Sequence, residues 1–249
     1  LFRSSEIEGI DIMLAIDVST SMLAEDLKPN RLEAAKDVAA EFINGRPNDN
    51  IGITLFAGET FTQCPLTVDH AVLLDMIHNI KCGLIEDGTA VGMGVANAVT
   101  RLKDSKAKSK VVILLTDGTN NKGDISPLTA AEIAKSFGIR VYTIGVGTNG
   151  MAPYPYPVGN TVQYINMPVE IDEKTLTQIA GTTDGNYFRA TSNSKLKEVY
   201  EEIDKLEKTK LNVKEYSKRE EDYRWFALAA FLCVLLEVLL RNSILKKIP

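Results

Sequence analysis

The feature that most constrains the fold is an apolar segment that stops abruptly at an acid, because the chain contains it twice. Five apolar residues, 12–16, precede Asp17, and the residues 111–116 (Val-Val-Ile-Leu-Leu-Thr) precede Asp117. Such runs are typical of strands that are buried on both faces of a parallel sheet. Because a carboxylate is costly inside such a core, we expect each acid to lie at the carboxyl end of its strand.

The remaining segments alternate between two patterns. Apolar spacing predicts helices over 31–43, 70–80, 91–102, 127–137, 172–180 and 194–208, and strands over 51–56, 59–66, 140–146 and 186–189. The residues of the strand 51–56 are interpreted as alternating between a buried and an exposed face. The strand 59–66 is expected to run antiparallel to it. This order predicts an α/β fold, with a doubly wound, mostly parallel sheet and helices on both faces. Such sheets bind ligands at the carboxyl ends of their strands.

Oxygen-bearing side chains are expected to collect at that edge of the sheet. Ser19 and Ser21 follow Asp17 at alternate positions, and Thr89 lies in a polar loop just before a predicted helix, while Asp117 ends the second strand. Oxygen ligands without His or Cys suit a hard cation, above all Mg²⁺, with Mn²⁺ or Ca²⁺ as alternatives. Capping of the helices that follow explains the same residues equally well at this point.

Charge and cysteine usage exclude two classes of function. The formal net charge is −5 and nothing concentrates Lys and Arg, so nucleic-acid binding is not expected. Cys64, Cys82 and Cys233 have no metal-type spacing, and the two histidines are interpreted as surface residues, so no zinc site is predicted. Unpaired thiols are expected, with a Cys64–Cys82 disulfide as the alternative.

A glycine motif after the strand 140–146 matches the dinucleotide fingerprint in its letters only. The motif is Gly145-Val-Gly-Thr-Asn-Gly150, and a helix must begin at its third glycine. Three closely spaced prolines follow instead and forbid a helix. We therefore expect no dinucleotide site here, and we interpret 151–167 as a long surface loop that forms a contact site.

The C-terminal part of the chain predicts a membrane anchor. Residues 225–240 are almost wholly apolar, and together with 241–245 they approach the length that a membrane-spanning helix requires. Glu237 lies in the last turns, where Arg241 can pair with it. The preceding residues, 208–224, are charged, and the distribution of Lys and Arg around the span does not fix its orientation. Because the first residue is Leu1, we expect the chain to be a segment of a longer protein.

Three separated motifs resemble the von Willebrand factor A domain. They are Asp17-Val-Ser-Thr-Ser21, Asp87-Gly-Thr89 and Asp117-Gly118, in the order and structural context of that family. The resemblance covers about 9–207. It implies a Rossmann-like fold and a metal-ion-dependent adhesion site, in which Ser19 and Ser21 are direct ligands. Thr89 is then a direct or water-linked ligand, and Asp17 and Asp117 act mainly through waters.

Longer stretches resemble one branch, the Bacteroides aerotolerance (Bat) membrane proteins of BatA type. They are Glu8-Gly-Ile-Asp-Ile, Arg31-Leu-Glu-Ala-Ala-Lys, Gly58-Glu-Thr-Phe-Thr-Gln-Cys-Pro-Leu-Thr, Ile85-Glu-Asp-Gly-Thr-Ala and Arg140-Val-Tyr-Thr-Ile-Gly-Val-Gly-Thr-Asn-Gly. The resemblance implies two membrane segments before the domain, with 1–8 as the lead-in, and one after it at 225–245, followed by the tail 246–249. It also implies an inner-membrane protein with a periplasmic domain, and as partners other Bat proteins and a MoxR-type AAA+ ATPase.

The leading hypothesis is a membrane-anchored, metal-dependent protein-binding module rather than an enzyme. On this hypothesis an acidic side chain of a partner binds the metal, and the module is a subunit of a Bat/MoxR-type complex linked to stress or oxygen tolerance. A phosphohydrolase with Asp17 as nucleophile is the first alternative, although Ser19 stands where its general acid is expected. A purely structural membrane subunit is the second alternative.

Overall fold

The computed structural model describes residues 9–159, 161–217, 228–234 and 237. Its strands are β1 Asp11–Asp17, β2 Asn50–Phe56, β3 Thr60–Thr67, β4 Lys110–Thr116, β5 Arg140–Val146, β6 Met151–Val158, β7 Thr161–Pro168 and β8 Tyr187–Ala190. Six of them form a sheet in the order β3-β2-β1-β4-β5-β8, and β6 pairs with β7 separately.

The six-stranded sheet confirms the predicted α/β class. β1 lies between β2 and β4, β5 lies between β4 and β8, and these pairs are all parallel, whereas β3 is antiparallel to β2 as predicted. The alternating pattern expected for β2 is wrong, because every residue except Asn50 is buried. At the two edges of the sheet, β3 contains Pro65 and an irregular register opposite Ile51 and Ile53, and β8 has only four residues.

Helices cover both faces of this sheet. They are α1 Arg31–Asn44, α2 His70–His78, α3 Val91–Leu102, α4 Pro127–Ser136, α5 Glu173–Thr182 and α6 Asn193–Ser217, with a short 3₁₀ helix at Thr20–Leu23. Residues of α3, α4 and α5 pack in one core cluster with Met13 and Ala15 of β1. Alternate residues of a strand point to the opposite face. There α1 and α6 meet through Phe42 and Tyr200, whose ring centroids are 4.9 Å apart.

The segment after β5 is a β-hairpin, so the prediction of a loop at 151–167 is wrong, although β7 lies on the surface as predicted. A strand follows Gly150, and the helix that the dinucleotide fingerprint requires is not formed there. The carbonyl of Pro153 accepts a hydrogen bond from the N–H of Glu25 (2.8 Å), on the side of β6 away from β7. Pro155 and Pro157 share this orientation because alternate residues point the same way, so the missing N–H groups cost no bonds between β6 and β7.

The chain divides into two compact units, Leu1–Glu207 and Lys208–Pro249. The predicted lead-in 1–8, the tail 246–249 and most of 218–245 lie outside the described residues. Within the predicted membrane span, residues 228–234 and 237 are described, and they are helical. Within the described ranges we find no helix that is both long and apolar enough to cross a bilayer.

Candidate metal site

The candidate site lies where β1 and β4 end side by side. In this strand order the chain leaves β1 toward one edge of the sheet and β4 toward the other, and doubly wound sheets bind ligands at such a switch point. The side chain of Asp17 is completely buried, and the hydroxyl of Thr116 donates a hydrogen bond to its Oδ2 (2.6 Å). The last residue of β4 therefore fixes the carboxylate at the end of β1.

The two predicted serines connect the two acids. The N–H of Ser19 donates to Asp17 Oδ1 (2.9 Å), the hydroxyls of Ser19 and Ser21 lie 2.9 Å apart, and Ser21 Oγ donates to Asp117 Oδ1 (2.6 Å). Ser19 occupies the position before the 3₁₀ helix, but its side chain makes no capping bond. The structure thus brings four of the five predicted residues into one hydrogen-bonded chain, and helix capping does not account for the serines.

Thr89 approaches the same point from the loop before α3. Its side chain is buried, and its Oγ1 lies 3.1 Å from the place that a Cβ on Gly118 would take. Its backbone N–H donates to the side chain of Asn121 (2.8 Å). The residue in the N-cap position of α3 is Ala90, so capping by Thr89 is not observed. The fifth predicted residue therefore lies beside the Asp117–Gly118 turn, and the absence of a side chain on Gly118 makes room for its hydroxyl.

An arginine that the sequence patterns did not indicate faces the site. Arg31 donates from Nη1 to Asp117 Oδ2 (2.6 Å) and from Nε and Nη2 to the two oxygens of Asp26 (2.7 Å each). Asp26 also accepts from the N–H of Thr148 (2.8 Å). A signal was present in the sequence, since a cation in the first turn of a helix is unfavourable unless an acid holds it there. Nothing in the spacing identified Asp26 as that acid.

A second missed contact joins the loops around the site. The N–H and hydroxyl of Thr20 donate to the carboxylate of Asp87 (3.0 and 2.8 Å). Thr20 lies between Ser19 and Ser21, and Asp87 lies in the loop before α3 that contains Thr89. These bonds therefore fix the two segments against each other. Hydrogen bonds to both oxygens of Asp87 outweigh its partial burial and lower the pKa of that carboxyl.

The buried acids are under electrostatic strain. Burial, reinforced by the charge of Asp117, raises the pKa of Asp17 to about 7. Burial also raises the pKa of Asp117, against the opposing effect of Arg31. The Arg31 guanidinium, whose side chain is 4% exposed, is bonded to two buried carboxylates, those of Asp26 and Asp117, and Asp17 is a third buried carboxylate that interacts with the charge of Asp117. The difference, three minus one, leaves two negative charges without a counterion in this set.

This set of groups fits a divalent cation. A double positive charge balances the two uncompensated carboxylates, and the donors are the hard oxygens that Mg²⁺ prefers. Because the Ser21 hydroxyl donates its hydrogen bond to Asp117, the Ser19 hydroxyl donates to Ser21, and both hydroxyl oxygens keep lone pairs for a metal. Among the described residues no three His, Cys, Asp or Glu side chains converge on one point, so a site here depends on the hydroxyls.

One thiol lies next to this site. The Sγ–H of Cys82 donates to the carbonyl of Ser19 (3.4 Å), and burial, together with the charges of Asp17 and Asp117, raises the pKa of the thiol to about 12. The thiol therefore remains protonated at neutral pH and is a poor soft ligand. Cys64 and Cys82 are both free, so the alternative of a disulfide between them is not realised.

The fold and this site define the class of the protein. The family model of the von Willebrand factor type A domain matches residues 11–202, a range that contains all five predicted site residues. A crystal structure of BatB from Bacteroides thetaiotaomicron is 33% identical with a TM-score of 0.70, and the match covers 80% of this chain and 100% of that one. A crystal structure of an aerotolerance-related membrane protein from Bacteroides fragilis NCTC 9343 is 31% identical with a TM-score of 0.70, covering 79% and 98%.

The chain therefore belongs to the von Willebrand factor type A domain family and, within it, to the aerotolerance-related Bat proteins. The structure with the Bat name is a BatB, so the finer assignment to BatA type stays a prediction. A protein of the mussel byssus, proximal thread matrix protein 1, has been solved with a zinc-occupied metal-ion-dependent adhesion site. It is 26% identical with a TM-score of 0.62, and the match covers 80% of this chain and 46% of that one.

The chain spans only part of the length of one of its sequence relatives. The chain is 30% identical over 203 residues to a UPF0353 protein of Mycolicibacterium paratuberculosis, and it spans 58% of that relative's length. Activities and partners of the whole protein are therefore treated below as proposals.

Proposed function

We propose that the domain is a protein-binding module that depends on a divalent cation, which is Mg²⁺ in this proposal. The observation that carries the proposal is the excess of two negative charges among the buried carboxylates at the switch point, next to hydroxyls with free lone pairs. The zinc-occupied site of the mussel protein supports metal binding by this class of domain. Zinc in that relative leaves the preference for Mg²⁺ to experiment.

The five predicted residues have distinct roles in the proposed site. Ser19, Ser21 and Thr89 supply neutral hydroxyl oxygens to the metal. Asp17 and Asp117 supply the charge and hold the serines through the bonds described above. Arg31 positions Asp117 and keeps its second oxygen away from the metal. A bound divalent cation supplies an electrophilic centre that attracts a carboxylate.

An acidic side chain of a partner protein is the ligand that fits this centre. The two serines are neutral, and both carboxylates already accept hydrogen bonds within the site. A bound dication can therefore accept one further anionic oxygen. Elements around the site supply selectivity in this proposal, including the strand β3 at Thr60–Thr67 and the hairpin at Met151–Pro168. The proposed affinity therefore comes from the metal, and the choice of partner comes from its surroundings.

The geometry gives less support to the enzyme alternative. A phosphohydrolase nucleophile needs an oxygen that can reach its substrate. Asp17 is fully buried, and its two oxygens accept bonds from Ser19 and Thr116. The binding function uses Asp17 in the buried position that the structure gives it.

We also propose that the module acts at a membrane in a complex of Bat proteins with a MoxR-type AAA+ ATPase. Membrane association is supported by the description of the Bacteroides fragilis relative as a membrane protein. The proposed anchor is the apolar segment 225–245, in the bacterial inner membrane. The periplasmic orientation of the domain stays a prediction.

The test uses the full chain in detergent. We expect Mg²⁺ titration calorimetry to show one site per chain, which Asp17→Ala abolishes while circular dichroism shows a folded domain. Asp75→Ala, on the exposed side of α2, is the matched control and keeps the site. Partner capture from solubilised membranes should require Mg²⁺ and disappear with EDTA. Capture that survives both EDTA and Asp17→Ala contradicts the proposal and favours the structural subunit.

A further inference from the structure

The strand β7 of the β6–β7 hairpin is exposed along its whole length, and its Tyr164 hydroxyl donates a hydrogen bond to Glu25 (2.8 Å). All eight residues of β7 are exposed, and four large apolar side chains on it are about half exposed, namely Val162, Tyr164, Ile165 and Met167. Single exposed apolar residues are normal on a protein surface, but a continuous exposed edge strand is a template for pairing. The hairpin therefore requires an explanation that the metal site does not supply.

The two edges of this hairpin differ. In an antiparallel pair, residues that face each other both point their backbone groups either toward the partner strand or away from it. The Pro153 carbonyl points away from β7, so Asn166, which faces it, also points outward. The outer edge of β6 thus consists of Pro153, Pro155 and Pro157, which lack N–H groups and cannot pair with another strand.

The outer edge of β7 is open. By the same alternation its outward residues are Val162, Tyr164 and Asn166, each with an N–H and a carbonyl. Among the described residues these groups make no backbone hydrogen bond outside their own hairpin. Pro168 closes the open edge at one end, because it also points outward and has no N–H. One edge of the hairpin is blocked and the other offers three residues for pairing.

The hairpin also lacks the charges that normally prevent strands from pairing at an edge. Residues 151–168 contain no Asp, Glu, Lys, Arg or His, although 24% of the whole chain is charged. Natural edge strands usually carry a charge, often Lys, to repel a second strand. An uncharged edge is complementary to another uncharged edge, and the nearest source of one is a second copy of the same chain.

We propose that two copies of this chain associate by antiparallel pairing of their β7 edges, which joins the two hairpins into a four-stranded sheet. Because the only pairing edge of each hairpin is used, and the β6 edges are blocked by proline, the assembly closes at two copies instead of growing into a fibre. This inference is independent of the metal site.

The outward residues also fix the register. Placing Tyr164 opposite Tyr164 of the second copy pairs Val162 with Asn166 on each side, so all three outward residues exchange bonds. A shift by two residues in one direction places Pro168 opposite Val162, and this pair lacks the hydrogen bond that an N–H of residue 168 would donate. A shift by two residues in the other direction leaves Asn166 without a strand residue opposite it. The register centred on Tyr164 is therefore the one in which every outward pair exchanges both of its main-chain hydrogen bonds, and it brings Val162 beside Tyr164 across the new pairing.

Cross-linking tests the register on the full chain in detergent. Tyr164→Cys places two new thiols at a bonded antiparallel pair, where Cα atoms are about 5.5 Å apart and a disulfide fits. We expect mild oxidation to give a covalent dimer, and mass spectrometry to show the 164–164 link. Thr161→Cys alone should add nothing to the parent chain, whereas Thr161→Cys mixed with Met167→Cys should link 161 to 167. Equal linking by all variants overturns the proposed pairing.

Sedimentation equilibrium tests the association itself. At about 100 µM, where small interfaces become populated, we expect the wild-type chain and Val162→Thr to be dimers. Val162→Pro should be a monomer, since it removes an outward N–H that the hairpin does not use, and it should melt within a few degrees of Val162→Thr. EDTA and Asp17→Ala should leave the dimer intact. A monomeric wild type, or a dimer of Val162→Pro that is folded, refutes the proposal. If Val162→Pro fails to fold, the cross-link pattern decides.

Discussion

Asp17→Asn is expected to have opposite effects on stability and on metal binding. The amide has the shape of the carboxylate, its oxygen can accept the N–H of Ser19, and the Thr116 hydroxyl can reverse to accept the amide. The substitution therefore preserves the local bonds and removes one of the two negative charges that lack a counterion. Without metal, Asp17→Asn should therefore raise the stability of the folded domain. In the presence of Mg²⁺ it should prevent the domain from binding the metal.

The size of the stabilisation expected for metal-free Asp17→Asn follows from the pKa of Asp17. Burial and the Asp117 charge raise this pKa from 3.8 to about 7, so the folded state binds the proton more tightly than the unfolded state. While Asp17 is protonated in both the folded and the unfolded state, its ionisation does not change the free energy of unfolding. The group becomes destabilising as the pH rises from 3.8 to about 7. A shift of about three pKa units corresponds to about 4 kcal/mol. For a domain of about 200 residues this is a change in Tm on the order of 10 °C.

The assay is thermal unfolding of the full chain at about pH 8, in EDTA and in Mg²⁺. In EDTA the Tm of Asp17→Asn should exceed that of the wild type. In Mg²⁺ at about 100 times the Kd, the wild type should gain about 2.7 kcal/mol and the variant nothing. Asp75→Asn, an exposed control of the same chemistry, should follow the wild type in both conditions. A lower Tm for Asp17→Asn in EDTA, or an equal gain from Mg²⁺ in both proteins, refutes the charge argument.

Three further predictions concern packing and charge in the domain. Arg31→Met leaves the buried carboxylates of Asp26 and Asp117 without their cation, and urea unfolding should show a loss of about 3–5 kcal/mol that Arg31→Lys partly restores. Burial opposes ionisation of Glu207, but hydrogen bonds from Arg140 and Tyr142 outweigh it and lower the pKa below 4.5. Its stabilising effect should thus be present at neutral pH and disappear as the pH falls through the folded-state pKa, and Glu207→Gln should flatten that part of a stability–pH curve. Gly92→Ala places a Cβ 2.0 Å from the Ile125 carbonyl and should lower the Tm despite better helix propensity, whereas Gly181→Ala, with nothing within 4 Å, should raise it slightly.

Much of the fold follows from patterns that depend on neighbouring residues alone. Apolar runs ending at Asp17 and Asp117 located the two central strands, and β5 has the predicted bounds, Arg140–Val146. Two segments were interpreted wrongly for physical reasons. β2 packs against the later helices α2 and α3, and residues on both of its faces are buried, which hides any alternation. The prolines of β6 are compatible with a strand because they all face its unpaired side, and this orientation depends on β7.

The site shows the same division between local and distant information. The positions of Asp17, Ser19 and Ser21 follow from one strand and its turn, and Asp117 follows from the repeated pattern. Arg31 was missed because its acceptors are 5 and 86 residues away, and only the folded sheet brings them together.

The outer strands of the six-stranded sheet are poor templates for a neighbour. Pro65 and the irregular register disrupt the β3 edge, and β8 offers only four residues. Many copies of the domain can therefore be crowded together without their large sheets joining into runaway polymers. Protection from aggregation is thus built into the borders of the fold itself.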